Sequence, residues 1–187
     1  MTLMTMKKKV LGLIEELNPE SELLTDDPDL AAKITDIINQ RMFELARMKK
    51  IPRYVEIDVS EGDLIDYERI EKESGSKVYQ IKLVDGVDYQ FKADGTIIKA
   101  LESGTMGIDI FIYPERITEK TNAKTYEFEL SDDALEIMPY GVAGDLLKSD
   151  VSTQYGSIYS NRYEAMKREL DPRNNMGSIS ISGGVNI

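Results

Sequence analysis

The spacing of apolar residues changes twice along this chain, and few folds accommodate such a change. Up to Lys50 they recur every three or four residues, the period of one helical face. From Tyr54 they alternate with polar residues, as in a strand with one face in water. From Ser131 the helical period returns. Two helical stretches at each end must bury their stripes, and the sheet-forming middle must bury its own inner face. The economical solution is an α+β fold: a helical bundle formed by N- and C-terminal helices, with an inserted antiparallel β domain. The boundaries read 1–52 for the N-terminal helices, 53–130 for the acidic β domain, 131–172 for the C-terminal helices and 173–187 for an extended tail.

The local signals give each element its ends. Met6, Val10, Ile14 and Leu17 predict a helix over Thr5–Leu17, stopped by Asn18-Pro19 because the residue before proline disfavours the α region. Asp27 is placed to cap a second, long helix, with Pro28 in its first position and Asp29 at the positive helix end. Its stripe runs Ala31, Ile34, Ile38, Met42, Leu45, Met48. In the middle, Val55, Ile57 and Val59 share one face of a strand. Tyr79, Ile81 and Leu83 share a face of the next, and Val87, Tyr89 and Phe91 of another. Asp85-Gly86 and Asp94-Gly95 suit tight hairpins, and "IDIFIY" and "TYEFEL" complete a set of about five strands. The polar stretch around Leu64–Ile70 reads as a loop or a short helix.

Beyond it, Ser131 opens a helix over "SDDALEIM" that Pro139 is expected to interrupt. Gly141 and Gly144 then allow another backbone close, and the chain there is expected to dock onto the first helices. Ser152 is placed to cap the last helix, which carries Tyr155, Ile158, Tyr159, Tyr163, Met166 and Leu170 and ends at Asp171-Pro172.

Composition narrows the chemistry. The chain has no histidine and no cysteine, which removes Ser–His and Cys–His nucleophiles and imidazole or thiolate metal sites. Carboxylates are the remaining ligands. Asp26, Asp27 and Asp29 are explained by helix capping, and Asp85, Asp88 and Asp94 by turns, with spacing that misses the Ca²⁺ loop. No phosphate-cradling glycine loop is present. No cofactor or metal is therefore expected. A carboxylate-dependent hydrolase survives as the enzyme alternative, and a monomeric cytosolic binding module as another. The lysines and apolar residues of "MTLMTMKKKVLGLIEELNPE" are broken by Glu15 and Glu16, so this stretch reads as an amphipathic helix in a cytosolically made protein. No apolar run approaches the ~20 residues of a membrane span.

The net charge is −11, and residues 51–150 carry all of it: 11 Lys/Arg against 22 Asp/Glu. Such a surface repels nucleic-acid phosphates. Tyr155, Tyr159 and Tyr163 lie four apart, each about 40° from the last around a helix. They read either as core or as a subunit interface, where tyrosine is enriched. The tail "GSISISGGVNI" alternates Ile179 and Ile181 with serines and ends in Val185 and Ile187. It reads as disordered or as a strand added to a partner's sheet.

Together "TDDPDLAAKITDIINQRMFELARMKKIP", "LEIMPYGVAGDLLKSD" and "YSNRYEAMKRELDPR" with its Gly-rich ending resemble the head–tail adaptor (connector) proteins of tailed bacteriophages and prophages. In those proteins a Pro-Tyr followed by Leu-Leu, here Pro139-Tyr140 and Leu146-Leu147, precedes a final Tyr/Arg-bearing helix. The resemblance covers the helical parts, about half the chain; the β domain departs from the simplest, all-helical adaptors. It implies a non-enzymatic structural virion protein, made in the host cytoplasm and placed at the neck. Copies would form a twelvefold ring beneath the portal protein and above a tail or stopper protein, with DNA passing through unbound. It assigns portal contact to Ile179, Ile181, Val185 and Ile187. The negative charge would keep the ring's lumen from adsorbing DNA. A baseplate or other tail protein is the alternative within the virion.

Overall fold

The computed structural model describes residues 1–92, 95–148 and 154–170. Five helices and six strands follow one another in these residues: α1 (Leu3–Leu13), α2 (Pro28–Lys49), β1 (Ile51–Val59), β2 (Leu64–Asp66), α3 (Tyr67–Ser74), β3 (Val78–Asp85), β4 (Tyr89–Lys92), β5 (Ile97–Ala100), β6 (Gly104–Ile112), α4 (Asp132–Leu146) and α5 (Tyr155–Glu169). The fold is α+β with an inserted antiparallel β unit. Two compact units divide the chain: a helical one from Met1–Ile51 with the described residues after Ile112, and a β unit over Pro52–Ile112. Ile179, Ile181, Val185 and Ile187, like Ser152 and Asp171-Pro172, lie outside the described residues.

In the helical unit, α1 starts earlier and stops sooner than its periodicity suggests. The Thr2 hydroxyl oxygen accepts the Thr5 N–H at 3.2 Å and caps it. At the other end Ile14 is the C-cap and Glu15 turns to φ 62°, so Ile14 and Leu17 do not continue the stripe. The cap of α2 is as read: the Asp27 carboxylate accepts the N–H groups of Asp29 and Leu30 at 2.9 and 3.1 Å, beside Pro28. Ile34, Ile38, Met42 and Leu45 are buried.

Helix α4 runs unbroken from Asp132 to Leu146 with Pro139 inside it, against the expected interruption. An interior proline costs about 3 kcal/mol through a lost hydrogen bond and a ring clash. Burial offsets this, because Ala134, Leu135, Ile137, Met138, Val142 and Ala143 are all at most 3% exposed.

"TYEFEL" is not a strand of the β unit. It lies along the N-terminus, where Leu3 N–H donates to Tyr126 O at 3.0 Å and Phe128 N–H to Met1 O at 3.2 Å. One bridge, Thr2 to Glu127, is all the ladder it forms. The alternation was a true sign of a half-buried extended segment, but period two does not say what the segment lies against. The β unit accordingly ends at Ile112 and not at residue 130.

The β unit holds two three-stranded sheets, in the orders β1-β6-β3 and β2-β5-β4. The β4–β5 hairpin, Lys92 opposite Ile97, turns at Gly95 with φ 84°; Asp94 lies outside the described residues. Asp85-Gly86 is a different case. It follows β3, which pairs with β6, while β4 belongs to the other sheet, so the turn changes sheets instead of closing a hairpin. Gly86 is required there: φ is 88°, and a Cβ would strike the Thr105 carbonyl oxygen. Two register shifts in the β3–β6 pairing also undo the expected face of Tyr79, Ile81 and Leu83. Val78 and Val84 are buried instead, and Leu83 is 51% exposed, because strict alternation does not carry across an interrupted ladder.

The stretch around Leu64–Ile70 becomes a short strand and then α3. The Asp66 carboxylate caps that helix through Arg69 N–H at 2.9 Å, and Gly75 ends it in the left-handed region. The acidic surplus is shared between the units. Residues 52–112 hold seven Lys/Arg and thirteen Asp/Glu, and residues 113–150 four and nine.

Candidate functional site

The helical unit presents its chemistry where α4 and α5 meet. Helix α4 packs against α1 and α2 as expected, while its glycines face α5: Gly144 lies against α5 backbone and Gly141 against the Tyr163 ring. A Cβ on Gly144 would lie 2.9 Å from the Ser160 backbone nitrogen and 2.5 Å from its hydroxyl oxygen. A Cβ on Gly141 would lie 2.9 Å from two atoms of the Tyr163 ring. Glycines three apart on α4 form a notch, and α5 sits in it.

This contact sorts the three tyrosines. Tyr163 is 1% exposed and belongs to the unit's own core. Its hydroxyl donates to Glu44 at 3.0 Å, and Arg41 and Lys167 stand over its ring at 4.7 and 5.0 Å. Tyr159 is partly exposed and anchored, its hydroxyl donating to the Leu13 carbonyl at 2.7 Å. Tyr155 is 56% exposed and Ile158 52%. An interface reading therefore rests on Tyr155 and Tyr159, with Tyr163 positioning the helix from behind.

A ladder of rings runs along this surface. Tyr155 stacks on Tyr159 at 6.4 Å, and Tyr159 meets Tyr140 of α4 at 6.3 Å. The Arg162 guanidinium covers the Tyr140 ring at 4.2 Å. At the Tyr155 end lies a cavity of about 210 Å³ lined by Leu13, Ile14, Glu15, Glu16, Leu147, Tyr155 and Tyr159. Tyrosine and arginine are the residue types that anchor protein interfaces.

No family model matches the chain, and no curated protein matches it.

Behind the ladder, five polar side chains join α2, α4 and α5. Arg41 donates to Asp145 at 2.8 Å and to Glu44 at 2.7 Å, and Lys167 donates to Glu44 at 2.8 Å and to Glu164 at 2.7 Å. Sequence reasoning did not single out Arg41, Glu44, Asp145 or Lys167. Only Arg41–Glu44 and Glu164–Lys167, each three apart on a helix, were visible as pairs. Among the described residues, no three His, Cys, Asp or Glu side chains come together as metal ligands. No described helix is long and apolar enough to cross a membrane.

Glu44 makes this network sensitive to acid. Burial pushes its carboxyl up, but the bonds from Lys167, Arg41 and Tyr163 outweigh that and hold it below the ordinary value. A depressed folded pKa stabilises above the unfolded value, near 4.3, and the gain is lost as pH falls through the folded value. Glu44→Gln should cost about 1–2 kcal/mol at pH 7, allowing for solvent at this half-buried site. In urea unfolding, the gap between variant and wild type should close below about pH 4. A gap of the same size at pH 3 would show that the charge on Glu44 contributes nothing.

Proposed function

We propose that this chain is a structural virion protein, the head–tail adaptor of a tailed phage or prophage. Copies assemble with one another into a ring beneath the portal protein, above a tail or stopper protein. The observation that carries this reading is the exposed Tyr155–Tyr159 face, held rigid by the seating of α5 in the glycine notch. A rigid helix that shows stacked rings and an isoleucine to solvent suits assembly better than chemistry. The layout of a helical unit built from both ends of the chain agrees with the resemblance in "LEIMPYGVAGDLLKSD" and "YSNRYEAMKRELDPR". An acidic surface suits a channel through which DNA slides, since a ring multiplies each subunit's negative charge into one field.

The test is the mass in solution by light scattering, alone and with a candidate portal protein, for the full chain and for a chain ending at Arg173. The expected result is a ring, or portal binding that is lost with residues 174–187. The second outcome assigns portal contact to Ile179, Ile181, Val185 and Ile187. A monomer that ignores the portal, with or without its last residues, overturns the adaptor and favours a binding module.

A further inference from the structure

One end of the ring ladder is closed by a cation and the other is not. Arg162 covers Tyr140, and the order then runs Tyr159, Tyr155 and the cavity. At that open end the lining combines Tyr155 and Tyr159 with Glu15, Glu16 and the apolar residues Leu13, Ile14 and Leu147. Neither glutamate has an ion-pair partner among the described residues, and both are exposed. Their backbone is set by the end of α1, where Glu15 takes φ 62° and Glu16 N–H donates to Leu11 O at 2.9 Å. An aromatic face with carboxylates beside it suits a planar cation, because guanidinium stacks on the ring while its N–H groups reach the oxygens.

The same unit carries such cations at the far end of α5. Arg168 lies thirteen residues after Tyr155 in sequence, roughly 20 Å away along the helix at about 1.5 Å per residue. It follows Lys167, whose ammonium meets Glu44 of α2, and Arg47 lies one helical turn beyond Glu44. Arg47 and Arg168 are exposed and have no ion-pair partner among the described residues. Arg41 and Arg162, by contrast, are already engaged with Asp145, Glu44 and Tyr140. Acceptor and donor at opposite ends of one helix form a head-to-tail contact, the kind that repeats from copy to copy and closes into a ring when the rotation allows.

We propose that the cavity at Tyr155, Tyr159, Glu15 and Glu16 receives the Arg168 side chain of a second copy of this chain, with Arg47 beside it. The contact deepens the adaptor reading by naming the partner of the aromatic face, and it rests on that reading. It is electrostatic in part, so added salt weakens it.

Charge exchange tests it. Glu15→Arg with Glu16→Arg leaves both ends positive, and Arg47→Glu with Arg168→Glu leaves both ends negative. Each double variant should lose self-association at least tenfold by light scattering, alone or on the portal. Mixing the two, or combining all four changes in one chain, should restore it. That rescue excludes misfolding as the cause of the loss. Assembly that survives both double variants overturns this contact and leaves the adaptor intact. Loss without rescue overturns it as well. A wild-type chain that stays monomeric with and without the portal overturns both.

Discussion

Gly144→Val is expected to destabilise the helical unit by about 3 kcal/mol and to weaken any assembly that depends on α5. The Cβ alone would lie 2.9 Å from the Ser160 backbone nitrogen and 3.2 Å from its Cα. These atoms cannot rotate away as a side-chain tip can, so α5 itself must retreat. Retreat would pull Tyr163 from beneath its glycine and loosen the bonds of Arg41, Tyr163 and Lys167 to Glu44. Two opposing terms set the size. Leaving glycine improves helix propensity by several tenths of a kcal/mol for valine and by about 1 kcal/mol for alanine. Overpacking a filled interface typically costs 1–3 kcal/mol and more where backbone must move. Gly144→Ala should therefore lose less than valine while remaining destabilising. Gly12→Ala is the internal control, because nothing lies within 4 Å of its would-be Cβ. It should be neutral or up to about 1 kcal/mol more stable, from propensity alone. Denaturant midpoints of the three variants decide the matter. If Gly144→Val unfolds with the wild type, the notch is not close-packed and the rigidity of the Tyr155 face has another source.

How much of this surface could be read from the sequence depends on what each signal measures. Gly141 and Gly144 announce close approach, because glycine in a helix is costly without a reason, but nothing in "YGVAGDLL" names α5 as the approaching helix. The four-residue spacing of Tyr155, Tyr159 and Tyr163 puts them on neighbouring lines of one helix and cannot say how deep each line is sunk. A 40° drift from one to the next is enough to take Tyr163 into the core and leave Tyr155 in water. Asp27, Pro28 and the stripe of α2 were legible because caps and amphipathic faces are local. Register shifts are less so, and the two in the β3–β6 pairing break the strict alternation that was read into β3. Pro139 failed as a breaker because the rule weighs a lost hydrogen bond and knows nothing of a helix buried on nearly every side. The network around Glu44 is long-range, joining residues more than 100 positions apart, and no spacing rule reaches that far.

Asn39→Ala should cost the helical unit about 3 kcal/mol, although Asn39 lies off the apolar stripe of α2 and looks from sequence like a solvated position. Its side chain is 3% exposed. Its amide NH₂ donates to the Ile117 carbonyl at 2.8 Å, and its carbonyl accepts the Ile117 N–H at 2.9 Å. One side chain thus satisfies both backbone groups of a residue that is itself buried. Removing it orphans a donor and an acceptor together, each worth about 1–3 kcal/mol when left unpaired away from water. Asn39→Leu keeps the bulk and separates this from cavity formation; if it is as stable as the wild type, the paired bonds contribute nothing. Asn39→Asp gives the sharper check. An ionised carboxylate can accept from Ile117 N–H but cannot donate to its carbonyl, and burial without a cation disfavours the charge. Its folded pKa is therefore raised, so the variant regains stability as pH falls and the protonated carboxyl supplies the missing donor. Its deficit should be largest near pH 7 and shrink below about pH 5, the opposite trend to wild-type Glu44. The consequence for assembly follows from where Ile117 lies. It heads the segment that leads from β6 through Tyr126 and Phe128 to α4, and that segment also holds the N-terminus through Leu3 and Phe128. Loosening it frees α1 and α4 together, the helices whose ends supply Leu13, Glu15, Glu16 and Leu147 to the cavity beside Tyr155. On the assembly proposed above, Asn39→Ala should weaken self-association under conditions where the chain remains folded, and mass measured against protein concentration would show it.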